Sequence, residues 1–192
     1  VGYENKNIIR RLDGGFVRVS AMVAPKAMAE WPSNGGAEAV LRLSDGRFLV
    51  FAETAEREDG STQVLLFQGD PTERGTQMAR LSYAAPEGYR VTDAAQLPGG
   101  ELLPLNRRIG VPDGFTAKLT RVAWSDVRGG AVLRGQGIAT LAPPLTVDNM
   151  EGLLVERGRV PTPSGARDAT LIWMISDDNY FGFQRTLLMQ FA

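Results

Sequence analysis

Five acidic residues recur at two places in the sequence, the start of one predicted strand and the end of the next. They are Glu38, Glu53, Glu151, Asp177 and Asp178. Carboxylates gathered without partners repel one another, and a hard cation bound by about six to eight oxygen atoms relieves that repulsion. The pattern therefore predicts a calcium site, to which Asn149 and Asn179 would add amide oxygens. For each carboxylate taken singly, the alternative is a strand-end cap or an ion pair with an arginine.

Arginines stand near the same strand ends. Arg107 and Arg108 follow a predicted strand directly, and Arg185 follows the stretch DDNYFGFQ. A guanidinium presents a planar fork of donors that matches a phosphate or a carboxylate. Beside a calcium cluster, these arginines would bind a small phosphorylated substrate, with Arg107, Glu151 and Asp177 as the catalytic residues. The alternative is a structural ring of ion pairs in which the arginines neutralise the acidic residues.

The residue types that are missing exclude several kinds of chemistry. The 192 residues include no histidine and no cysteine. A Ser-His-Asp triad, thiol catalysis, disulfides and the usual zinc sites are therefore excluded within this sequence. Acid–base or metal chemistry would fall on carboxylates, supported by arginine, lysine and tyrosine. A carboxylic-ester hydrolase that uses a serine would need a histidine from outside this sequence.

The composition is that of an ordinary globular protein, with 43% apolar and 22% charged residues. A formal net charge of -1 provides no general attraction to nucleic acid or anionic lipid. The longest apolar runs, such as 48–52 and 171–175, are far shorter than the about 20 residues that cross a bilayer. We therefore expect no nucleic-acid binding and no membrane span. The chain begins at Val1 without a basic or apolar leader, so an export signal would have been removed or would lie outside this sequence.

Short apolar runs alternate with Gly, Pro, Asp and Ser along the whole chain, and this pattern favours an all-β fold. Turn signals separate the predicted strands, among them SDG at 44–46, PGG at 98–100 and PSG at 163–165. Residues 25–36 are predicted to be a long loop with one turn of helix near its start. Residues 157–169 are predicted to be a second long loop.

An internal repeat indicates how the strands are organised. The stretch EAVLRLSDGRFLVFAE at 38–53 aligns without gaps on TDAAQLPGGELLPLNR at 92–107, which places Glu53 over Arg107. A third and looser copy begins at Glu151. Each copy is a strand, a tight turn, a second strand and a polar residue at its end. The offset of 54 residues, 92 minus 38, is close to the about 40 to 50 residues of a four-stranded propeller blade.

The repeat predicts a β-propeller, in which blades pack around an axis and expose their strand ends around a central channel. A closed propeller has about 4 to 8 blades, and this chain has room for about three to four. We therefore expect residues 1–192 to be a single all-β domain, the C-terminal portion of a longer propeller. The N-terminal part of the same propeller, or another chain, would close the ring.

Four stretches of the sequence resemble a known family. They are NGGAEAVLRLSDGRFLVFAE at 34–53, ELLPLNRR at 101–108, VDNMEGLLV at 147–155 and ISDDNYFGFQRTLLMQF at 175–191. In this order they are similar to the C-terminal half of the phytase-like family, described as having esterase-like activity of phytase. The resemblance covers most of the chain. It implies a β-propeller, export to the bacterial periplasm or the outside of the cell, and hydrolysis of phosphate esters such as phytate.

Two hypotheses follow from the residues and the resemblance together. The first is an exported propeller that binds calcium through the five carboxylates and hydrolyses a phosphomonoester. Calcium would polarise the phosphoryl oxygens and lower the pKa of an attacking water, while the arginines stabilise the developing charge. The second is a non-catalytic propeller of the cell envelope that binds a ligand or acts as a scaffold. In that case, the same polar residues hold the blades together.

Overall fold

The computed structural model of the chain describes residues 1–3 and 5–192. This part of the chain forms fifteen β-strands and two 3₁₀ helices, Lys26–Met28 and Trp124–Asp126, and contains no α-helix. None of these helices is long and apolar enough to cross a lipid bilayer. The predicted all-β class is confirmed, with 54% of residues in strands.

The fifteen strands have the following residue ranges. They are β1 (Gly2–Tyr3), β2 (Ile8–Leu12), β3 (Val19–Val23), β4 (Ala37–Arg42), β5 (Phe48–Glu56), β6 (Thr62–Phe67), β7 (Met78–Ala84), β8 (Arg90–Gln96), β9 (Leu102–Gly110), β10 (Gly114–Arg121), β11 (Val132–Arg134), β12 (Gln136–Leu141), β13 (Met150–Thr162), β14 (Gly165–Ser176) and β15 (Leu188–Phe191). The chain divides into two compact units, one of Val1–Pro86 and Ser125–Gly135, the other of Glu87–Trp124 and Gln136–Ala192.

The first unit contains two sheets. One has five strands in the order β11-β7-β6-β5-β4, and the other has the order β1-β2-β3. Strand β11 pairs in parallel with β7, and the other neighbours are antiparallel. Strands β5 and β6 are almost continuously apolar because both of their faces are covered. Their core includes Val50, Leu65 and Phe67 together with Met28 and Trp31 from the loop after β3.

The second unit also contains two sheets, with the orders β12-β10-β9-β8 and β13-β14-β15. Apolar side chains of both sheets share one core, in which Leu103 and Leu105 from β9 and Leu119 from β10 pack with Met150 and Met174. Such burial is the main stabilising contribution to the fold, at about 1.5 to 3 kcal/mol for each large apolar side chain. In the described part of the chain no sheet is closed, so the propeller stays a prediction.

The tight turns of the first two repeat copies have the same geometry. The amide of Gly46 donates to the carbonyl of Leu43 at 3.0 Å, and the amide of Gly100 donates to that of Leu97 at 2.8 Å. Both glycines adopt positive φ, 89° and 96°. Glycine populates this left-handed region without the steric conflict that a Cβ introduces. The turn residues therefore explain why both hairpins form where the sequence predicts them.

The three repeat copies also share a β-bulge that the sequence did not predict. Hairpins β4–β5, β8–β9 and β13–β14 each hold one extra residue near the start of their first strand, namely Glu38, Thr92 and Glu151. In the first hairpin, for example, Ala37 faces Ala52 and Ala39 faces Phe51. A bulge bends the strand and re-aims a side chain. The repeat is thus a repeat of backbone geometry, and it places an acidic residue at the bulge in two copies.

The predicted loop at 157–169 is wrong. Strands β13 and β14 continue as one antiparallel ribbon until Thr162 faces Gly165, so only the PSG turn interrupts them. The side chains of this ribbon are mostly polar and exposed. Since neither face is buried, the apolar alternation that marks a strand is absent. Backbone pairing maintains the extended conformation, together with contacts of the Arg159 side chain to Asp168 and the carbonyl of Ala166 on the other strand. The helical turn expected after residue 25 is present as the 3₁₀ helix Lys26–Met28.

Candidate functional site

A polar cluster in the second unit joins the second half of β9 to the start of β13; β9 continues to Gly110, so Arg107 lies inside the strand and not at its predicted end. Nη1 of Arg107 lies 2.6 Å from Oδ1 of Asn149 and 3.5 Å from Oε1 of Glu151. Arg107 belongs to β9, Asn149 directly precedes β13, and Glu151 is the bulged residue of β13. Three residues that the sequence singled out are therefore in contact.

The cluster is partly accessible to solvent. The side chains of Arg107 and Glu151 are 22% and 29% exposed, whereas Asn149 is buried at 1%. A buried amide therefore orients a guanidinium that a solute can still reach. In this setting charge-assisted hydrogen bonds are stronger than neutral ones, and an anion is the natural ligand of the guanidinium.

Asp148 holds the backbone beside the cluster through hydrogen bonds, and it was not among the residues predicted from the sequence. Its carboxylate is buried, Oδ1 accepts the amide of Asn149 at 2.9 Å, and Oδ2 accepts the amide of Arg185 at 3.0 Å. The carbonyl of Asn149 in turn accepts the amide of Asp177 at 2.9 Å. These bonds tie the segment after β14 to the start of β13. Asp148 lies within a motif already quoted, but only its burial distinguishes it from its acidic neighbours.

The two adjacent aspartates after β14 shape their own loop. Oδ1 of Asp177 accepts the amide of Asn179 at 3.0 Å, and Oδ1 of Asp178 accepts the amide of Tyr180 at 2.9 Å. Oδ2 of Asp178 accepts the hydroxyl of Thr186 at 3.1 Å. Asn179 and Tyr180 adopt left-handed φ angles of 48° and 55°, which such local side-chain bonds support. These contacts correspond to the strand-end alternative considered for these carboxylates.

Arg108 has surroundings different from those of Arg107. Its guanidinium carbon lies 5.1 Å from the ring centroid of Tyr89, and its Nη2 lies 3.0 Å from Oδ2 of Asp113. Successive side chains of a strand point to opposite faces. The structure therefore does not bring Arg107 and Arg108 together around one ligand.

Arg185 takes part in the cluster through its backbone. Its amide donates to Asp148, as described, and its carbonyl accepts the hydroxyl of Ser176 at 2.6 Å. Its side chain is exposed. The predicted role of this side chain in substrate binding stays a prediction.

The remaining predicted metal ligands, Glu38 and Glu53, belong to the first unit. Glu53 is buried at 9% exposure, and its amide donates to the carbonyl of Gly36 at 3.2 Å. Among residues 1–3 and 5–192, no three acidic side chains form a group that could hold a metal ion. Neither unit by itself assembles the five-carboxylate calcium site, which stays a prediction.

Asp93 on β8 is a second carboxylate that the sequence analysis missed. Its Oδ2 accepts the amide of Leu153 at 2.7 Å, and its Oδ1 accepts the amide of Ala94 at 2.8 Å. Burial raises the pKa of Asp93 to about 6, although both amide bonds act in the opposite direction. The adjacent Thr92 donates its hydroxyl to the carbonyl of Met150 at 2.9 Å. Asp93 and Thr92 therefore hold β8 against β13.

The sequence comparison identifies one family. The model of the phytase-like family, described as "Esterase-like activity of phytase", matches residues 1–180. No curated protein and no solved structure matches the chain significantly. The matched range includes Arg107, Asn149 and Glu151 and ends before Arg185.

Proposed function

Because the chain belongs to the phytase-like family, we propose that it is an exported hydrolase of phosphoric monoesters whose sheets are blades of a β-propeller. The family match supports a hydrolase-type domain, since it extends over residues 1–180 of 192. The observation that carries the proposal is the partly exposed guanidinium of Arg107, which Asn149 and Glu151 hold. A periplasmic or extracellular location comes from the family resemblance and stays a prediction.

Arg107 would bind the phosphoryl group of the substrate. During hydrolysis, negative charge shifts among the phosphoryl, attacking and leaving oxygens, and a donor that is already in place stabilises that charge without reorganising. The bond from Asn149 and the ion pair with Glu151 provide this placement. Partial exposure of Arg107 allows an ester to approach it from solvent.

Glu151 would act on the attacking water. A carboxylate near the phosphate-binding arginine can accept a hydrogen bond from water and take its proton as the oxygen attacks phosphorus. The P–O bond to the alcohol then breaks, and the departing alkoxide takes up a proton. Carboxylates are the natural bases in a chain without histidine. Asp177 stays a predicted catalytic residue, although here its amide pairs with the carbonyl of Asn149.

Calcium is the cofactor that the acidic residues predict. If bound, it would polarise the phosphoryl oxygens. The donor set does not fit such an ion in the part of the chain that the structure describes, because no three acidic side chains come together. No catalytic step is therefore assigned to calcium, and phosphatase activity is measured both with and without added calcium.

The test compares two adjacent arginines. We expect Arg107→Gln to lower kcat/KM for p-nitrophenyl phosphate and phytate by about 100- to 1,000-fold, the usual effect of losing one preorganised donor to the transition state. Arg108→Gln is the matched control, and it leaves kcat/KM nearly unchanged because its guanidinium lies on the opposite face of β9. Thermal melts of both variants check that each is folded.

Two results would contradict the proposal. One is the absence of phosphatase activity in the wild-type protein across several phosphate esters with added calcium. The other is an equal loss of activity in folded Arg107→Gln and Arg108→Gln proteins, because a specific phosphate contact affects only the first.

The alternative function is a non-catalytic propeller module of the cell envelope. It is favoured by the local bonds of Asp177 and Asp178 and by the ion pair of Arg107, because these contacts already stabilise the strand ends. In that case Arg107→Gln lowers the melting temperature, and the wild-type protein hydrolyses none of the esters.

A further inference from the structure

A cavity in the first unit lies outside the Arg107 cluster. Its volume is about 480 Å³, within the about 300 to 1,000 Å³ of typical small-molecule sites. Strand β2, hairpin β4–β5 and residues 70–72 line it. Its apolar lining includes Ile9, Val40 and Phe48, and its charged lining residues are Arg10, Arg11, Arg42 and Asp70. None of its lining residues belongs to the second unit.

The three arginines differ in how their charge is balanced. Nη1 of Arg11 lies 3.0 Å from Oδ2 of Asp70 and also pairs with Glu73, so acidic neighbours neutralise this guanidinium. Among the residues that the structure describes, no carboxylate pairs with Arg10 or Arg42. The cavity therefore carries two positive charges without a described counter-ion.

Arg10 is held against an aromatic ring. Its guanidinium carbon lies 4.5 Å from the ring centroid of Tyr3, a cation–π contact that orients the group. Its Nε is buried and has no hydrogen-bond acceptor among the described residues. A buried donor without an acceptor is unfavourable, because it has lost its hydrogen bonds to water. An oxyanion that entered the cavity would provide the missing acceptor.

We propose that this cavity binds an organic dianion, with a phosphate-type head group between Arg10 and Arg42 and an apolar body against Ile9, Val40 and Phe48. The charges match, because a phosphate monoester carries about -1.5 to -2 at neutral pH and two guanidinium groups face it. The apolar lining residues favour this ligand over free inorganic phosphate, which has no apolar body to place against them. The site is a second, ligand-binding position and is independent of the hydrolytic role proposed for Arg107.

Phenylphosphonate is a suitable probe, because its phosphorus–carbon bond is not a substrate for ester hydrolysis. We expect amide NMR signals of residues 9–12 and 40–48 to shift on titration. Arg10→Gln and Arg42→Gln each weaken binding about tenfold or more, because each removes a charged hydrogen-bond donor to the dianion. Arg57→Gln is the matched control, because Arg57 is exposed in the same unit and does not line the cavity. It leaves binding unchanged.

Several outcomes would overturn the inference. Equal weakening by Arg57→Gln would indicate nonspecific attraction, and benzoate binding as tightly as phenylphosphonate would contradict the dianion. Shifts confined to residues near Arg107 would assign the probe to the hydrolytic site instead. The absence of any shift at 9–12 and 40–48 also overturns it. If Arg10→Gln does not fold, the binding affinity of Arg42→Gln tests the proposal. The Arg42 side chain is exposed, so this substitution leaves the core intact.

Discussion

Hairpins β4–β5 and β8–β9 share a turn geometry and a bulge position but differ in their polar residues. Both place a glycine with positive φ in the turn and a bulge near the start of the first strand. The bulged residue is Glu38 in one and Thr92 in the other, and the last position of the aligned repeat is Glu53 in one and Arg107 in the other. A shared backbone geometry thus presents the same two positions, and the residues that occupy them decide the chemistry.

The residue after the bulge shows the same principle in the packed interior. The first hairpin has Ala39 there, which is fully buried, and the second has Asp93, which binds the amide of Leu153 on a neighbouring strand. The alanine needs no partner. The carboxylate joins two strands, but its burial opposes ionisation, as its raised pKa shows.

The largest expected effect concerns the position opposite the bulge. Phe51 and Leu105 are fully buried there, whereas Ile175 of the third hairpin is 44% exposed. We expect Phe51→Ala to lower the free energy of unfolding by about 3 to 5 kcal/mol and Leu105→Ala by about 2 to 5 kcal/mol. Phe51 also loses an edge-on ring contact with Tyr83 at 5.8 Å. Urea denaturation measures the series.

Ile175→Ala is the matched exposed control. It should cost less than about 1.5 kcal/mol, because much of its side chain is already in water. A loss of unfolding free energy as large as that of Phe51→Ala would contradict the partial exposure of Ile175.

The second prediction tests the carboxylate that only the second hairpin carries. The folded pKa of Asp93 is about 6, above the ordinary value of 3.8. Because the pKa of Asp93 is higher in the folded state, the protonated carboxyl group favours folding. This contribution is complete below about pH 3.8 and is lost as pH rises through about 6. At pH 8 we expect the free energy of unfolding of Asp93→Asn to be about 2 to 3 kcal/mol larger than that of the wild type. This difference should vanish near pH 4. Thermal melts across this pH range measure it.

Asp168→Asn is the control for this prediction, because its side chain is 94% exposed in the same unit. Its stability should follow the wild type at every pH. If Asp93→Asn is less stable than the wild type at pH 8, the bonds of the ionised carboxylate to Leu153 and Ala94 outweigh the penalty of its burial.

The smallest expected effect concerns the shared turns. Gly46→Ala and Gly100→Ala should each lower stability by about 1 to 2 kcal/mol, because a Cβ is strained at left-handed φ. A Cβ at Gly46 meets no atom within 4 Å, and one at Gly100 meets Trp124 only at 3.9 Å. The two losses should therefore be equal in denaturation experiments. Gly99→Ala, which lacks a positive φ, should change stability little, and unequal losses at the two turn glycines would contradict their equivalence.

Features of the fold that depend on neighbouring residues were predicted better than features that depend on contacts between distant residues. The turns at 44–46 and 98–100 form where the sequence predicts them, because the turn residues and the apolar runs beside them define these hairpins locally. The ribbon beyond residue 156 was missed, since its pairing leaves both faces polar. The contact of Arg107 with Glu151 was only partly predicted: the sequence placed both at strand ends, and the structure supplied the pairing.

The sequence by itself determined the all-β class, the repeated hairpins and their glycine turns, because residues close together along the chain decide these features. Only the tertiary structure decided that Asp93 and Asp148 are held among backbone amides and that Arg107 turns toward Asn149 while Arg108 turns away. These features depend on how β8 and β9 pack with β13, and such contacts join residues that are about 40 to 60 positions apart in the chain. Local patterns carry no record of that packing, so an acidic residue in the interior resembles one on the surface until the strands are in place.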